Sequence, residues 1–379
     1  IVQELLNAGK SLEDARKGGS SGCVETGAFG NEAYILTGYM NLPKIVELTL
    51  YNGYDHVSNQ QLGPKTGEAK DFKSYDEFFE AYKAQVEYFV DIKIKGNNII
   101  EKIYAEYMPV PFLSVITNGC IQSGKDYNAG GAKYNTNYIQ GVGIGTITDS
   151  LASIKYNVFD KKKFTMEELL KAMDDNFEGH DEIHHMVTNK TPKYGNDDDY
   201  ADDIMKDVFN LYRNTVVGRP NIKGGKYGIN MLPTTCHVYF GEVMNASANG
   251  RKAHLPVSEG ISPEKGADTN GPTAVIKSCS KMDHLATGGT LLNQKFTPSV
   301  VEGEAGLDHM ANLVRTYFNM EGHHIQFNVV DTKMLIDAQK HPENYKDLIV
   351  RVAGYSDHFH NLSKVLQDEI IGRTEQNFN

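Results

Sequence analysis

The chain has 379 residues, of which 40% are hydrophobic and 23% are charged, and its formal net charge at pH 7 is −11. A chain of this length and composition can bury a large core, which predicts a globular protein with one or two domains. The negative charge argues against nucleic acid and against an anionic membrane surface as partners, since both are bound through clustered Lys and Arg. The absence of an 18-residue apolar run gives no sign of a membrane-spanning helix.

The four cysteines are scattered, at Cys23, Cys120, Cys236 and Cys279. None forms a CxxC pair, so the spacing argues against a zinc knuckle and against a disulfide framework. We therefore expect a reducing, cytoplasmic compartment. The N-terminal segment IVQELLNAGKSLEDA has neither the charge layout of a signal peptide nor a starting Met, and we expect the chain to be a piece of a longer protein.

The first third of the chain predicts mainly helices. Apolar residues recur at helical spacing in residues 2–16, 32–53 and 75–107. Pro43 interrupts the second of these stretches, and Ser74 is placed to cap the third at its N-terminus.

The remainder alternates strands with helices. Short apolar runs predict strands at residues 112–117, 137–144, 237–242 and 324–330, and helical spacing predicts helices at residues 149–159, 166–176 and 199–213. Strands that alternate with helices indicate an α/β fold with a largely parallel sheet.

Two further patterns are similar to ligand sites but fit simpler roles. Gly141, Gly143 and Gly145 follow an apolar run, yet they lack the GxGxxG spacing and no P-loop lysine follows, which favours a plain strand-to-helix turn. His180 and His184 are four residues apart, as in helical zinc sites, but the HExxH pattern is not met. A solvated helix end is the simpler interpretation there.

A glycine-rich segment near the N-terminus, GGSSGCVETG, holds Cys23 and Glu25 on a tight loop. A lone cysteine is most often a small buried core residue. Here the period of two in extended chain predicts that the Cys23 and Glu25 side chains share a face. A carboxylate beside a sulfur is suited to general acid/base chemistry on a substrate hydroxyl.

A second loop, RVAGYS around Gly354, lies near the C-terminus. The simplest interpretation of Gly354 is a turn residue that supplies a positive φ. Glycine is also the residue whose Cα can lose a hydrogen atom and become planar without a side-chain clash. Because a cysteine S–H bond is about as easily broken homolytically, hydrogen could pass from Cys23 to Gly354 at little cost.

Taken together, these loops resemble those of the glycyl radical enzymes, and the resemblance covers nearly the whole chain. The segments that carry it are GCVE at the cysteine loop, NGRKAHLPVSEGISPEKGADTNGPTA, HHIQFNVVD, RVAGYS and LQDEIIGRTEQ. The resemblance implies a fold that is half of a ten-stranded α/β barrel, whose cysteine and glycine loops meet inside. It implies a barrel part at residues 1–248 and a glycine radical domain at residues 249–379.

The resemblance also narrows the subclass. Pyruvate formate-lyases have two adjacent cysteines, whereas Gly22 precedes Cys23 here, as in the dehydratase and lyase members. The continuation TGAFG after Glu25 is similar to the members that act on trans-4-hydroxy-L-proline. By the same resemblance Tyr39 and Thr234 line the substrate pocket, although a core aromatic is the simpler interpretation of Tyr39 alone.

The implied catalytic residues are Cys23, Glu25 and Gly354, with the radical stored on Gly354 and no bound metal. The resemblance implies a separate activating enzyme that uses S-adenosylmethionine and an iron–sulfur cluster, a missing N-terminal half and a homodimer. The expected reaction is loss of water from hydroxyproline to give 1-pyrroline-5-carboxylate. The alternatives are a glycerol or propanediol dehydratase, a choline trimethylamine-lyase, or a non-catalytic fragment that complements a partner chain.

Overall fold

The computed structural model describes residues 1–378 as an α/β structure of short and long helices around parallel strands. The α-helices are α1 Val2–Asn7, α2 Leu12–Lys17, α3 Leu42–Leu50, α4 Tyr75–Tyr107, α5 Pro111–Ile116, α6 Cys120–Ser123, α7 Ile144–Ser153, α8 Met166–Asp174, α9 Asp181–His185, α10 Asp199–Val216, α11 Cys236–Glu242, α12 Pro272–Ser280, α13 Gly303–Asn319, α14 Thr332–Lys340 and α15 Lys364–Gly372. The strands are β1 Gly19–Ser21, β2 Glu25–Gly27, β3 Glu32–Asn41, β4 Tyr54–Asp55, β5 Gln60–Gln61, β6 Tyr134–Val142, β7 Lys226–Met231, β8 Leu292–Phe296, β9 Ile325–Val329, β10 Ile349–Arg351, β11 Ser356–His358 and β12 Glu375–Gln376.

Two parallel three-stranded sheets form the framework, in the orders β3-β6-β7 and β12-β8-β9. A parallel bridge between Met231 and Thr290 joins the end of β7 to the residues just before β8. The strands β3, β6, β7, β8 and β9 therefore follow one another around a curved parallel surface. This is the α/β half-barrel expected from the sequence.

The main core lies between this sheet and the helices α3, α4, α7 and α10. Ile139 on β6 and Ile147 on α7 are fully buried there, as are Tyr82 on α4 and Tyr212 on α10. Each large side chain buried in this way stabilises the fold by about 1.5–3 kcal/mol. The helices are thus fixed to the outer face of the sheet, and the strand ends and loops are held in place around its inner face.

Several predicted elements are confirmed. Helix α4 covers the predicted range, and the Ser74 hydroxyl accepts the Glu77 N–H at 3.2 Å as its N-terminal cap. Helices α8 and α10 and strands β6 and β9 lie at the predicted places within a few residues. Gly143, with φ +89°, forms the predicted turn from β6 into α7, which continues as a π-helix over Ile154–Asp160.

Two predicted strands are wrong, because both segments are helices. Residues 112–117 lie in α5, where Pro111 occupies the first turn and needs no hydrogen-bonded N–H; Phe112 is 81% exposed, so this apolar run does not enter a sheet. Residues 237–242 lie in α11, where the buried residues His237 and Gly241 are one helical turn apart.

Two predicted helices are also corrected. Residues 2–16 form two helices, because Gly9 adopts φ +83° and Ser11 begins a second helix by accepting the Asp14 N–H. Residues 32–53 begin with β3, which pairs in parallel with β6, and the helix starts only at Leu42. Within residues 1–378, no helix has both the length and the apolar character that crossing a bilayer requires.

Candidate active site

The cysteine loop is the tip of the antiparallel hairpin β1–β2, in which Ser21 pairs with Glu25. Gly22 adopts φ +58° at the tip, a left-handed conformation that glycine takes without strain. The Glu25 carboxylate folds back over the tip, and its Oε2 accepts the backbone N–H of Cys23 at 2.7 Å and of Val24 at 2.9 Å. A Cβ on Gly22 would lie only 2.9 Å from this oxygen, so the loop geometry depends on glycine there.

The carboxylate of Glu25 is therefore close to Cys23, but the reason differs from the one predicted. The segment is a tight turn and not extended chain, so the two side chains do not share a strand face. Two amide N–H groups hold the carboxylate in place instead. Glu25 is 8% exposed, which makes these hydrogen bonds a requirement for its burial.

The glycine loop connects β10 to β11, which pair as an antiparallel hairpin. Gly354 lies in the loop with φ +86° and is in direct contact with Cys23, since a Cβ on Gly354 would overlap both Cβ and Sγ of Cys23. Val24 and Ala353, the neighbours of these two residues, are fully buried together with Leu232 and Leu291. The structure thus brings together two loops from opposite ends of the chain.

Side-chain amides from β8 and β9 hold the glycine loop. Gln326 Oε1 accepts the N–H of Gly354 at 3.3 Å and Nε of Arg351 at 2.9 Å. Asn328 donates to the Arg351 carbonyl at 2.7 Å and accepts the Arg351 N–H at 2.7 Å. Asn293 donates to the Val352 carbonyl at 3.4 Å and accepts from Gln326. These side-chain amides form hydrogen bonds with the backbone of the glycine loop, as a neighbouring strand would do in a sheet.

The charge environment of Cys23 keeps its sulfur protonated. Burial raises the pKa of the Cys23 thiol, and the nearby Glu25 charge raises it further, while Arg351 opposes the shift. The thiol therefore retains its hydrogen near neutral pH. An S–H group in contact with a glycine Cα is suited to hydrogen-atom exchange, and a thiolate would have no hydrogen atom to give.

Tyr39 and Thr234 lie on the same side of the site and contact each other through their hydroxyl groups, which are 2.9 Å apart. A bulge in β3 between Leu36 and Tyr39 shifts the strand register just before Tyr39. Burial raises the Tyr39 pKa, the hydrogen bond with Thr234 lowers it in part, and the proximity of Cys236, Cys23 and Glu25 raises it. Tyr39 thus lies on a strand near the cysteine loop and is not a residue of a helix core.

Sequence reasoning missed the residues that hold the two loops. Gln326 and Asn328 alternate with apolar residues in β9, and this alternation places both on one face of the strand. That pattern could have identified them, whereas the contacts of Asn293 depend on the tertiary fold. Cys236, whose sulfur contacts the Tyr239 hydroxyl, was also not singled out as a neighbour of Tyr39.

The histidines of α9 do not converge. His184 Nε2 contacts the Gly250 carbonyl at 2.9 Å, His185 contacts Asn189 at 3.0 Å, and His180 contacts Asp175 at 2.8 Å. Each imidazole thus has its own partner on or beside the helix. Across residues 1–378, no group of three or more His, Cys, Asp and Glu side chains is arranged to hold a metal ion.

The fold and the paired loops correspond to a known class of proteins. A family model described as pyruvate formate lyase-like matches residues 1–241, and a model described as glycine radical matches residues 257–360. The chain belongs to the pyruvate formate lyase-like family and carries a glycine radical domain. The resemblance to the glycyl radical enzymes that the sequence predicted is confirmed.

Within this family the chain is similar to proteins of known activity. It is 70% identical over 378 residues to a trans-4-hydroxy-L-proline dehydratase of Clostridioides difficile, an alignment that covers 100% of this chain and 48% of that protein. The crystal structure of hydroxyproline dehydratase from C. difficile with trans-4-hydroxy-L-proline bound matches with a TM-score of 0.98 at 70% identity, over 100% of this chain and 48% of that one. The glycerol-bound, B12-independent glycerol dehydratase from Clostridium butyricum matches with a TM-score of 0.96 at 44% identity, again over 100% and 48%. The chain thus spans about half the length of the relatives it matches.

Proposed function

We propose that this chain is the C-terminal half of a glycyl radical dehydratase that removes water from trans-4-hydroxy-L-proline to give 1-pyrroline-5-carboxylate. Residues 1–248 form its share of the barrel, and residues 249–379 form the domain that stores the radical. Gly354 is the storage site, Cys23 is the hydrogen-transfer residue and Glu25 is the acid/base group. Tyr39 and Thr234 bind substrate.

The observation that carries the proposed chemistry is the contact between Cys23 and Gly354, with the Glu25 carboxylate hydrogen-bonded to the Cys23 N–H. A cysteine, a glycine Cα and a carboxylate together provide a hydrogen donor, a radical store and a proton-transfer group. The choice of substrate is supported by the 70% identity to a hydroxyproline dehydratase. The site fits a glycine radical, because position 354 has no room for a side chain.

The reaction begins with hydrogen transfer between the two loops. A hydrogen atom is removed from the Gly354 Cα during activation, and the resulting radical takes the hydrogen atom of the Cys23 S–H. The Gly354 Cα again carries two hydrogens, and the unpaired electron is on the sulfur. Because the Cys23 pKa is raised by burial, the S–H is present near neutral pH.

The sulfur-centred radical then acts on the substrate. It takes a hydrogen atom from the ring carbon next to nitrogen, which restores the S–H and leaves the spin beside the carbon that bears the hydroxyl. The C–O bond breaks as the hydroxyl takes a proton, from Glu25 in its protonated form or from a partner acid, and leaves as water. The proton that the ring nitrogen releases as its double bond to carbon forms returns to that acid. Return of the hydrogen atom from Cys23 to the product radical and re-formation of the Gly354 radical close the cycle.

The proposal includes partners that complete the protein. An N-terminal half supplies the other five barrel strands and its share of the pocket. A separate activating enzyme, which uses S-adenosylmethionine and an iron–sulfur cluster, removes the first hydrogen atom from Gly354. We place the protein in the cytoplasm, in accordance with the unpaired spacing of its cysteines, and we propose that it is a homodimer, as the family resemblance implies.

A comparison of substrates tests the proposed function. In the activated full-length protein, we expect kcat/KM for trans-4-hydroxy-L-proline to exceed that for glycerol, 1,2-propanediol and choline by at least about 10³-fold, because a site built to hydrogen-bond one substrate rejects others that leave its polar groups unpaired. Mass spectrometry of the products, which follows loss of one water, measures each rate.

The outcomes separate the alternatives. Faster conversion of glycerol or propanediol would assign the chain to a diol dehydratase, and cleavage of choline would assign it to a choline lyase. A protein that carries the Gly354 radical but turns over none of these compounds would favour the role of a non-catalytic chain that complements a partner.

A second test concerns Glu25. In the Glu25→Gln variant the side-chain carbonyl oxygen can still accept the N–H groups of Cys23 and Val24, so the loop keeps its geometry. The variant cannot transfer a proton, and we expect kcat to fall by about 10²–10⁴-fold while the spin count of the Gly354 radical stays unchanged. The matched control is Glu13→Gln, since Glu13 lies in an exposed pair with Lys17 at 2.6 Å. Full kcat in Glu25→Gln would remove Glu25 from the mechanism.

A further inference from the structure

A buried histidine contacts the residues that follow Cys23 in the cysteine loop. His323 lies between α13 and β9, and its Nε2 is 2.9 Å from the Val24 carbonyl oxygen and 3.3 Å from the Thr26 hydroxyl. Its Nδ1 is 3.1 Å from the Glu4 carboxylate, and the His323 and Glu4 side chains are 4% and 3% exposed. The imidazole thus bridges the segment after Cys23 to helix α1.

The partners of His323 fix where its protons lie. A carbonyl oxygen only accepts hydrogen bonds, so Nε2 carries the proton that faces Val24. On the other side of the ring, Nδ1 faces Glu4 Oε2 at 3.1 Å, so the carboxylate limits the orientations that the imidazole can take. Within residues 1–378, neither oxygen of the buried Glu4 carboxylate makes a hydrogen bond, so the close contact with the His323 imidazole is the polar contact that offsets its burial.

Two other histidines lie nearby, and both are neutral. Burial and the proximity of His323 lower the pKa of His284 to about 4 and the pKa of His324 to about 4. His284 is engaged with the Thr290 hydroxyl at 2.8 Å and the Cys279 carbonyl at 3.0 Å. Of the three, His323 is therefore the histidine that pairs with a carboxylate and reaches the cysteine loop.

The contacts of Val24 show what this bridge does. Its N–H is held by Glu25 at 2.9 Å, and its carbonyl lies between His323 and the backbone at Gly289, where a Cβ would overlap the carbonyl oxygen. Two residues further on, the N–H of Thr26 donates to the Gly288 carbonyl at 2.9 Å. The peptide groups that follow Cys23 are thus fixed on both sides, and the Cα of Cys23 can move little.

We propose that His323, oriented by Glu4, is a positioning residue that holds the Cys23 sulfur against the Gly354 Cα for hydrogen-atom transfer. This inference rests on the proposed function. Neither His323 nor Glu4 takes part in a chemical step. Transfer between two fixed heavy atoms depends steeply on their separation, and a displacement of about 1 Å can cost about 10²-fold in rate.

Isotope exchange at Gly354 measures this transfer without substrate. In D₂O the Cys23 sulfur carries deuterium, and the Gly354 radical takes that deuterium to become a CHD group. When the sulfur radical then takes back the hydrogen, deuterium remains on the Gly354 Cα. The doublet in the EPR spectrum of the glycyl radical comes from this single Cα hydrogen, so the doublet collapses at the rate of the round trip.

The experiment uses the full-length, activated protein with the variant His323→Ala. We expect the spin count of the glycyl radical to stay within about twofold of wild type and the rate of doublet collapse to fall by about 10–100-fold. His323→Gln, whose amide can still donate to the Val24 carbonyl, should recover part of the rate. Glu4→Gln, which leaves His323 in place, should slow the exchange by less than His323→Ala and also serves if the alanine variant does not fold.

The matched control is His341→Ala. His341 lies in the same domain as His323 and likewise faces a glutamate, Glu343, at 3.8 Å, but its side chain is 55% exposed. We expect wild-type exchange in this variant. Wild-type exchange in His323→Ala and in Glu4→Gln would overturn the positioning role while leaving the proposed function intact. If the wild-type protein itself shows no exchange that depends on Cys23, the proposed function fails first.

Discussion

Replacement of Gly354 by alanine is expected to abolish both the glycyl radical signal and turnover. The new Cβ would overlap Cβ and Sγ of Cys23, so one of the two loops must move away. Alanine at φ +86° also costs about 1–2 kcal/mol in backbone strain. The close contact between the Cys23 sulfur and the Cα of residue 354 is lost, and this Cα can no longer become planar without its methyl group meeting the sulfur. EPR spectroscopy after treatment with the activating enzyme measures the radical, and product formation measures turnover.

The matched control for this variant is Gly218→Ala. Gly218 also has φ +86°, but no atom lies within 4 Å of a Cβ built there. This variant therefore has the same backbone strain without the overlap. We expect a normal radical signal and normal turnover in Gly218→Ala. If both variants lost the radical and turnover equally, backbone strain alone would explain the effect, and the role of the contact with Cys23 would be contradicted.

Replacement of Cys23 by serine is expected to leave the radical on Gly354 but to remove turnover. The hydroxyl is nearly isosteric with the thiol, but its O–H bond is much stronger than the S–H bond. An increase of only about 4 kcal/mol in the barrier to hydrogen transfer would already slow the reaction by about 10³-fold. The Gly354 radical therefore has no hydrogen atom that it can take. The spin count by EPR and the rate of product formation distinguish storage of the radical from its use.

Cys120→Ser is the control for the cysteine variant. Cys120 is a buried thiol, 2% exposed, whereas Cys23 is only partly buried. It lies in α6 outside both loops, with Asp126 and Ser114 among its neighbours. We expect turnover within about twofold of wild type. The free energy of unfolding should fall by about 1–3 kcal/mol, because the variant buries a hydroxyl group in place of the thiol. Turnover that survives in Cys23→Ser as well as it does in Cys120→Ser would exclude Cys23 as the hydrogen-transfer residue.

Much of this fold could be predicted from the sequence, because the strongest patterns in the sequence depend on local structure. Helix α4 has both a long apolar repeat and a serine cap, and it lies where the pattern predicts. The runs at residues 112–117 and 237–242 have the apolar content of strands but no partner strand. Whether a short apolar run is a helix or a strand is decided by tertiary contacts, and these are not visible in the run itself.

The site shows the same division. Cys23, Glu25 and Gly354 could be identified from the chemistry of their side chains, their glycine-rich loops and the resemblance of the motifs to one family. The geometry that joins Glu25 to Cys23 could not be predicted. The sequence indicates a tight loop, but not that the carboxylate accepts the backbone N–H groups of Cys23 and Val24. His323 contacts the cysteine loop across almost the whole length of the chain, and only the folded structure shows that approach.

The amides that hold the glycine loop have a consequence for how the protein responds to its surroundings. Asn293, Gln326 and Asn328 do not gain or lose protons at any pH at which proteins are folded. The seating of Gly354 on β8 and β9 is therefore insensitive to acidity and, since neutral dipoles are little screened, to salt. These amides therefore add no pH dependence of their own to the radical-storing side of the site, whereas the Cys23 thiol beside Gly354, whose pKa burial raises, would lose its hydrogen only at alkaline pH.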